Sequence, residues 1–243
     1  MTPSRLRAEE GFTLVELLVG MAIAMVVLLA AFDLLDTTVS MTAKTQARTE
    51  ATARGRQALD TMERSLRSEV CLDKDQPIVD AKWTSGTQTV TFYADFSDGS
   101  GAAPPQRHVL AYDSAAATIT DTVYTGVYQG TGNPPTAVYA TPPEVTTLAT
   151  DVAPNADFAP DASGQLPVFR FYKFDGSTPP KFVGPLALPL TAADSSAITK
   201  VGIAFSIRRQ DAPASEKPLA TMQDDVYVRS ADPNLTSPTP SCS

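Results

Sequence analysis

A single carboxylate, Glu16, stands five residues after Gly11 inside Gly11-Phe12-Thr13-Leu14-Val15-Glu16, and the apolar run around it continues to Phe32. An ionisable group in a membrane-length apolar segment costs about 3 kcal/mol or more, so it marks function and calls for a partner. Other reactive side chains are sparse. His108 is the only histidine, which rules out a histidine-rich metal site or an HExxH zinc helix. There is no GxSxG elbow, no Walker loop and no GxGxxG ahead of a helix. Asp73 with Asp75, and Asp95 with Asp98 and Gly99, offer oxygen ligands but lack the spacing of a calcium loop and read as solvated turns. No catalytic residue, metal site or cofactor is therefore expected. Trp83, Phe169, Phe171 and Tyr172 read as core or interface groups.

The element that must position Glu16 is a helix. From Phe12 to Phe32 the run would rise about 31 Å, the thickness of the hydrocarbon layer. Arg5 and Arg7 precede it, whereas Asp33 and Asp36 follow and the next base is Lys44. That asymmetry keeps the N-terminus inside and exports the rest. Signal-peptide cleavage is poorly supported: Ala22-Ile23-Ala24 lies in mid-run and Leu29-Ala30-Ala31 is weak.

The helical pattern continues past the bilayer. No proline occurs between Thr37 and Val70, and Leu59, Met62, Leu66 and Val70 form a stripe at helical spacing. Asp60 with Arg64 and Glu63 with Arg67 stand at i,i+4 in the favourable order. One helix over 12–70 is the economical reading, with Gly55 as a weak point of about 1 kcal/mol.

Gly11 through Glu16, behind a short leader with Arg5 and Arg7 and ahead of an unbroken apolar run, resembles the processing motif of type IV pilins and pseudopilins. Glu9 and Glu10 depart from a purely basic leader. The resemblance implies a leader of residues 1–11, cut by prepilin peptidase between Gly11 and Phe12, and N-methylation of Phe12. It also gives Glu16 its partner. Processing creates a cationic amine at Phe12, and in the family this amine pairs with the fifth-position glutamate of a neighbouring subunit, each relieving the other's desolvation. Residues 56–67 and the order of the late segments, Ile198 to Arg209 and then Asp225 to Ser230, resemble J-type minor pseudopilins and their type IV pilus counterparts.

Beyond Cys71 the character changes. Val90, Phe92, Ala94 and Phe96 alternate with polar neighbours, as do Val201, Ile203, Phe205 and Ile207, the signature of half-buried strands. Arg107 to Tyr112, Ala117 to Tyr124, Pro167 to Phe174 and Asp225 to Arg229 are further strand candidates, with turns at Ser97-Asp98-Gly99 and Asp175-Gly176. The 20 prolines also favour short strands. The expected fold is α+β and pilin-like: a long N-terminal helix, transmembrane in its first half, packed on an antiparallel β head over 71–243 that ends in a loose tail. Cys71 and Cys242 are the only cysteines. In an exported chain they form one bridge between the helix end and the tail, the alternative being two free thiols. The net charge of −8, unchanged by loss of the first eleven residues, speaks against nucleic acid as a partner.

The expected role is structural: a minor pilin or pseudopilin made in the cytoplasmic membrane and carried into a periplasmic or extracellular filament. Its implied partners are prepilin peptidase, other pilins or pseudopilins, the inner-membrane assembly platform and, before assembly, membrane lipid. The alternative is a permanently anchored extracytoplasmic binding module.

Overall fold

The computed structural model describes residues 13–72, 77–96, 103–130, 136–139, 142–161, 164–177, 180–213 and 215–228. Helix α1 (Leu14–Arg67) is followed by β1 (Asp80–Thr84), β2 (Thr87–Ala94), β3 (Gln106–Asp113), β4 (Thr118–Tyr124), β5 (Gly126–Gln129), β6 (Thr136–Tyr139), β7 (Glu144–Ala149) and β8 (Val152–Pro154). Then come β9 (Phe169–Phe174), β10 (Phe182–Val183), the short α2 (Ala192–Ala197), β11 (Ile198–Ile207) and β12 (Ala220–Tyr227). The architecture is α+β, a long N-terminal helix followed by an antiparallel β head. The chain falls into two compact units, one ending at Ala47 and the other beginning at Arg48.

From Leu14 on, the first unit is helix. Its apolar side chains from Leu14 to Met41 are all exposed, so propensity and internal hydrogen bonds must hold it. Threonine is a weak helix former because its hydroxyl competes for backbone groups. Here the hydroxyls of Thr37, Thr38, Thr42 and Thr45 donate to the carbonyls four residues earlier, at 2.7–2.9 Å. The polar stretch after Phe32 thereby satisfies its hydroxyls within the helix.

In the second unit the remaining turns of α1 bury Ala51, Gly55, Ala58, Leu59, Met62, Ser65 and Leu66. The large members of the expected stripe are there, but the seam starts two turns earlier on small residues. A Cβ on Gly55 would lie 2.8 Å from Met222 Cγ and 3.2 Å from Ile207 Cγ1, so the glycine lets the helix backbone approach β11 and β12 closely. The helix closes at Arg67 instead of running on to Val70. Glu69 bridges Ala94, and the Val70 N–H donates to the Tyr93 carbonyl at 3.0 Å. Pairing with the end of β2 replaces the last helical turn.

One sheet has the order β1-β2-β3-β4-β7, and the other runs β10-β9-β11-β12 with β8 continuing beside β11. β2 alternates as expected, burying Gln88, Val90, Phe92 and Ala94. Phe96 falls beyond its end and is 49% exposed. β11 departs from the half-buried expectation. It is central, and Gly202, Ala204 and Ser206 on its second face are covered as fully as Val201, Ile203 and Phe205 on the first. Strands covered on both sides lose the polar alternation that periodicity relies on. Gln88 joins the sheets: its Nε2 donates to the Phe169 carbonyl at 2.7 Å, and its Oε1 accepts from the N–H groups of Val168 and Phe169 at 2.8 and 3.0 Å. Both polar atoms of this fully buried amide are thereby engaged, which makes its burial tolerable.

Candidate functional site

Glu16 lies in the first turn of α1. Thr13, just outside the helix, donates its backbone N–H and its hydroxyl to Glu16 Oε2 at 3.0 and 2.9 Å, and the Glu16 N–H reaches back to Thr13 Oγ1 at 3.3 Å. This is a capping box, in which a threonine and the glutamate three residues later satisfy each other's orphaned donors. The T-x-x-E pattern is a helix-start signal visible in the sequence, and reading Glu16 only as a membrane charge passes over it. The carboxylate also complements the positive end of the helix. Gly11 and Phe12, the expected cleavage and methylation residues, lie outside the described residues.

The helix that Glu16 caps carries the one apolar run among the described residues long enough to cross a membrane, with a mean hydropathy of 2.6 over its best 18-residue window and none of that window buried. Leu14, Met25, Val26 and Phe32 are each at least 66% exposed. A monomer in water does not keep such a face.

The head holds its polar groups differently. His108 Nδ1 lies 2.9 Å from Asp121 Oδ2, both residues buried, with the imidazole stacked on Phe92 at 5.5 Å between centroids. This is the structural role expected of the lone histidine, although no sequence pattern points to its carboxylate partner on β4. Arg107, its neighbour on β3, lies over the Tyr124 ring at 4.0 Å. Trp83 donates its Nε1–H to Asp161 Oδ2 at 2.7 Å, Phe169 and Phe171 are core residues, and Tyr172 is half-buried. Among the described residues no group of three His, Cys, Asp or Glu side chains is placed to hold a metal ion. Asp73, Asp75, Asp98 and Gly99 lie outside the described residues, as does Cys242, the expected partner of the half-buried Cys71.

Glu63 and Asp224 form a carboxyl pair where α1 meets β12. The hydrogen bond with Asp224, then burial, raise Glu63 to about 7, while the same hydrogen bond lowers Asp224. Arg67 Nη2 donates to Glu63 Oε2 at 3.2 Å, confirming the expected i,i+4 pair. A cavity of about 300 Å³ opens elsewhere in the head, between 159–161, the start of β9 and 185–188. No sequence signal points to it.

The N-terminal sequence has a counterpart among known families. Residues 6–32 match the prokaryotic N-terminal methylation motif. That match takes in Gly11, Phe12, the Thr13–Glu16 box and the apolar run, and it indicates a type IV pilin-like substrate of prepilin peptidase. With the exposed apolar helix it points to membrane anchoring. No curated protein matches the chain.

Proposed function

We propose that the chain is a minor pilin or pseudopilin, a structural subunit of a type IV pilus or a type II secretion-like filament. Prepilin peptidase removes residues 1–11 and methylates the amine of Phe12. The apolar half of α1 then holds the protein in the cytoplasmic membrane, N-terminus inside and head outside. The assembly platform transfers it into a periplasmic or extracellular filament, where lipid around the helix is replaced by the helices of other pilins or pseudopilins. The observation that carries this reading is the coincidence, within one segment, of the methylation motif with an apolar helix that has no cover of its own. Glu16 serves assembly in this scheme: buried among neighbouring helices, it takes the Phe12 amine of an adjacent subunit as its counter-charge. The size of the head and the order of its last strands favour a low-copy subunit of the J type over a major pilin.

Mass spectrometry of the mature N-terminus tests the reading. N-methyl-phenylalanine at position 12 is the expected result. An intact Met1 would overturn it and leave a permanently anchored binding module.

A further inference from the structure

Among the described residues β5 and β6 pair only with each other, Gly126 opposite Tyr139, Val127 opposite Val138, Tyr128 opposite Ala137 and Gln129 opposite Thr136. The root of this two-stranded arm is held. Gly126 is buried where an added Cβ would lie 2.7 Å from Pro104 Cγ, and Tyr139 donates its hydroxyl to the Pro105 carbonyl at 3.1 Å and stacks on Tyr93 at 5.8 Å. Beyond the root both faces are open. Val127 and Val138 share one face at 53% and 40% exposure, and Tyr128 on the other is 37% exposed. A two-stranded hairpin is marginal in water and gains stability when a further surface packs on it.

The composition of the arm says what that surface is. No Asp, Glu, Lys or Arg occurs between Asp121 and Glu144, in a chain with 27 acids and a net charge of −8. Acidic proteins repel one another, and the centre of a contact between them is depleted of charge. Four of the seven tyrosines, Tyr93, Tyr124, Tyr128 and Tyr139, stand on the arm or at its root. Arg107 lies over the Tyr124 ring at 4.0 Å and 5.4 Å from the centre of the Tyr139 ring, and among the described residues no carboxylate pairs with it. Tyrosine and arginine are the residues that carry most of the energy of protein interfaces. We infer that the β5–β6 arm docks on the head of a neighbouring filament subunit, its Val127–Val138 face on an uncharged apolar patch and Arg107 meeting an acid of that subunit. The inference rests on the reading of the chain as a filament subunit. Strands of four residues give a face of about 14 by 10 Å, far below the roughly 800 Å² per partner of a stable dimer. The arm therefore acts after packing of the apolar helices has brought two heads together, when a small second contact forms at high effective concentration.

The test uses the full chain in cells that assemble filaments, with Val127→p-benzoylphenylalanine, Val138→p-benzoylphenylalanine and, as a reference in the apolar helix, Val26→p-benzoylphenylalanine. After irradiation the filaments are sheared and the adducts identified by mass spectrometry. Both arm positions should join the chain to a second polypeptide that carries an N-methylated mature N-terminus. Val127→Glu should lower recovery of the subunit in sheared filaments at least about tenfold. Its melting in detergent should stay that of the wild type, because the side chain is exposed. Three results would overturn the docking while leaving the filament reading intact: adducts from Val26 but none from the arm, arm adducts confined to the same chain, to lipid or to an unprocessed protein, or normal incorporation of Val127→Glu. An intact Met1 would remove the filament reading and the docking with it.

Discussion

Gly55→Leu tests the packing of α1 on the head most directly. The glycine's missing Cβ is the gap into which Met222 and Ile207 fit: an added Cβ would meet Met222 Cγ at 2.8 Å, Met222 Cε at 3.1 Å and Ile207 Cγ1 at 3.2 Å. Replacing glycine inside a helix gains about 1 kcal/mol of intrinsic propensity. Against that, overpacking a filled seam costs about 1–3 kcal/mol, and leucine adds three carbons beyond the Cβ. The net loss should be about 2 kcal/mol, or about 4–8 °C in apparent Tm for a domain of this size. Gly55→Ala should be nearly neutral, because its gain of about 1 kcal/mol in helix propensity offsets the shift that Met222 Cγ, at 2.8 Å from the new Cβ, must make. Thermal unfolding of the full chain in detergent, followed by near-UV circular dichroism, measures both. Met222→Ala should restore much of the loss in the Gly55→Leu background while destabilising the wild type, a coupling that contact at this seam requires. Unchanged melting of Gly55→Leu, or additive effects of the two substitutions, would refute the close approach.

The Glu63–Asp224 pair sets a pH dependence. Folding raises Glu63 from 4.5 to about 7, chiefly through its hydrogen bond with Asp224, so across that window the folded chain holds the extra proton and stability falls as pH rises. The shift alone corresponds to about 3 kcal/mol; solvent screening of a pair at the surface brings the expected change to about 1 kcal/mol. Glu63→Gln should flatten denaturant midpoints between pH 5 and 7, and a slope that persists in this variant would contradict the pairing. Glu16→Ala should leave peptidase cleavage and membrane insertion intact while abolishing recovery of the subunit in sheared filaments, and normal incorporation would remove the role given to Glu16. The Cys71–Cys242 bridge proposed for the exported chain predicts a mass two daltons lower without reductant than with it, and free thiols in freshly purified protein would exclude it.

The parts of the fold legible in the sequence are those where a single physical cause outweighs the others. Membrane-like composition declares the first half of α1, because nearly every residue from Leu14 to Phe32 suits the same apolar solvent. β2 is legible because one of its faces meets the core and the other meets water, which imposes period two on Val90, Phe92 and Ala94. Where burial is two-sided the signal fades, as in β11. Where a contact needs absence of bulk, the sequence shows only a weak residue: Gly55 reads as a cost to the helix, yet it is where Met222 and Ile207 from two strands close on the helix backbone. The buried surroundings of Gln88, His108 and Arg170 depend on which strands become neighbours, and no local pattern encodes that.

The capping box changes how the charge in the membrane segment is understood. A lone carboxylate in an apolar helix would favour any route out of lipid, including misfolding, and a requirement for a neighbouring amine would be a liability until that neighbour arrived. With two donors from Thr13 on Glu16 Oε2, the carboxylate is hydrogen-bonded within its own first turn, while no cation among the described residues compensates its charge. Hydrogen bonds from neutral donors soften the burial of a carboxylate without neutralising it. Such a group is tolerable at the membrane boundary, and it gains further when an ammonium comes within reach. Under the proposed function, the same six-residue stretch would begin a helix while the subunit waits in the bilayer and supply half of an ion pair once other helices enclose it, giving assembly an electrostatic gradient to follow.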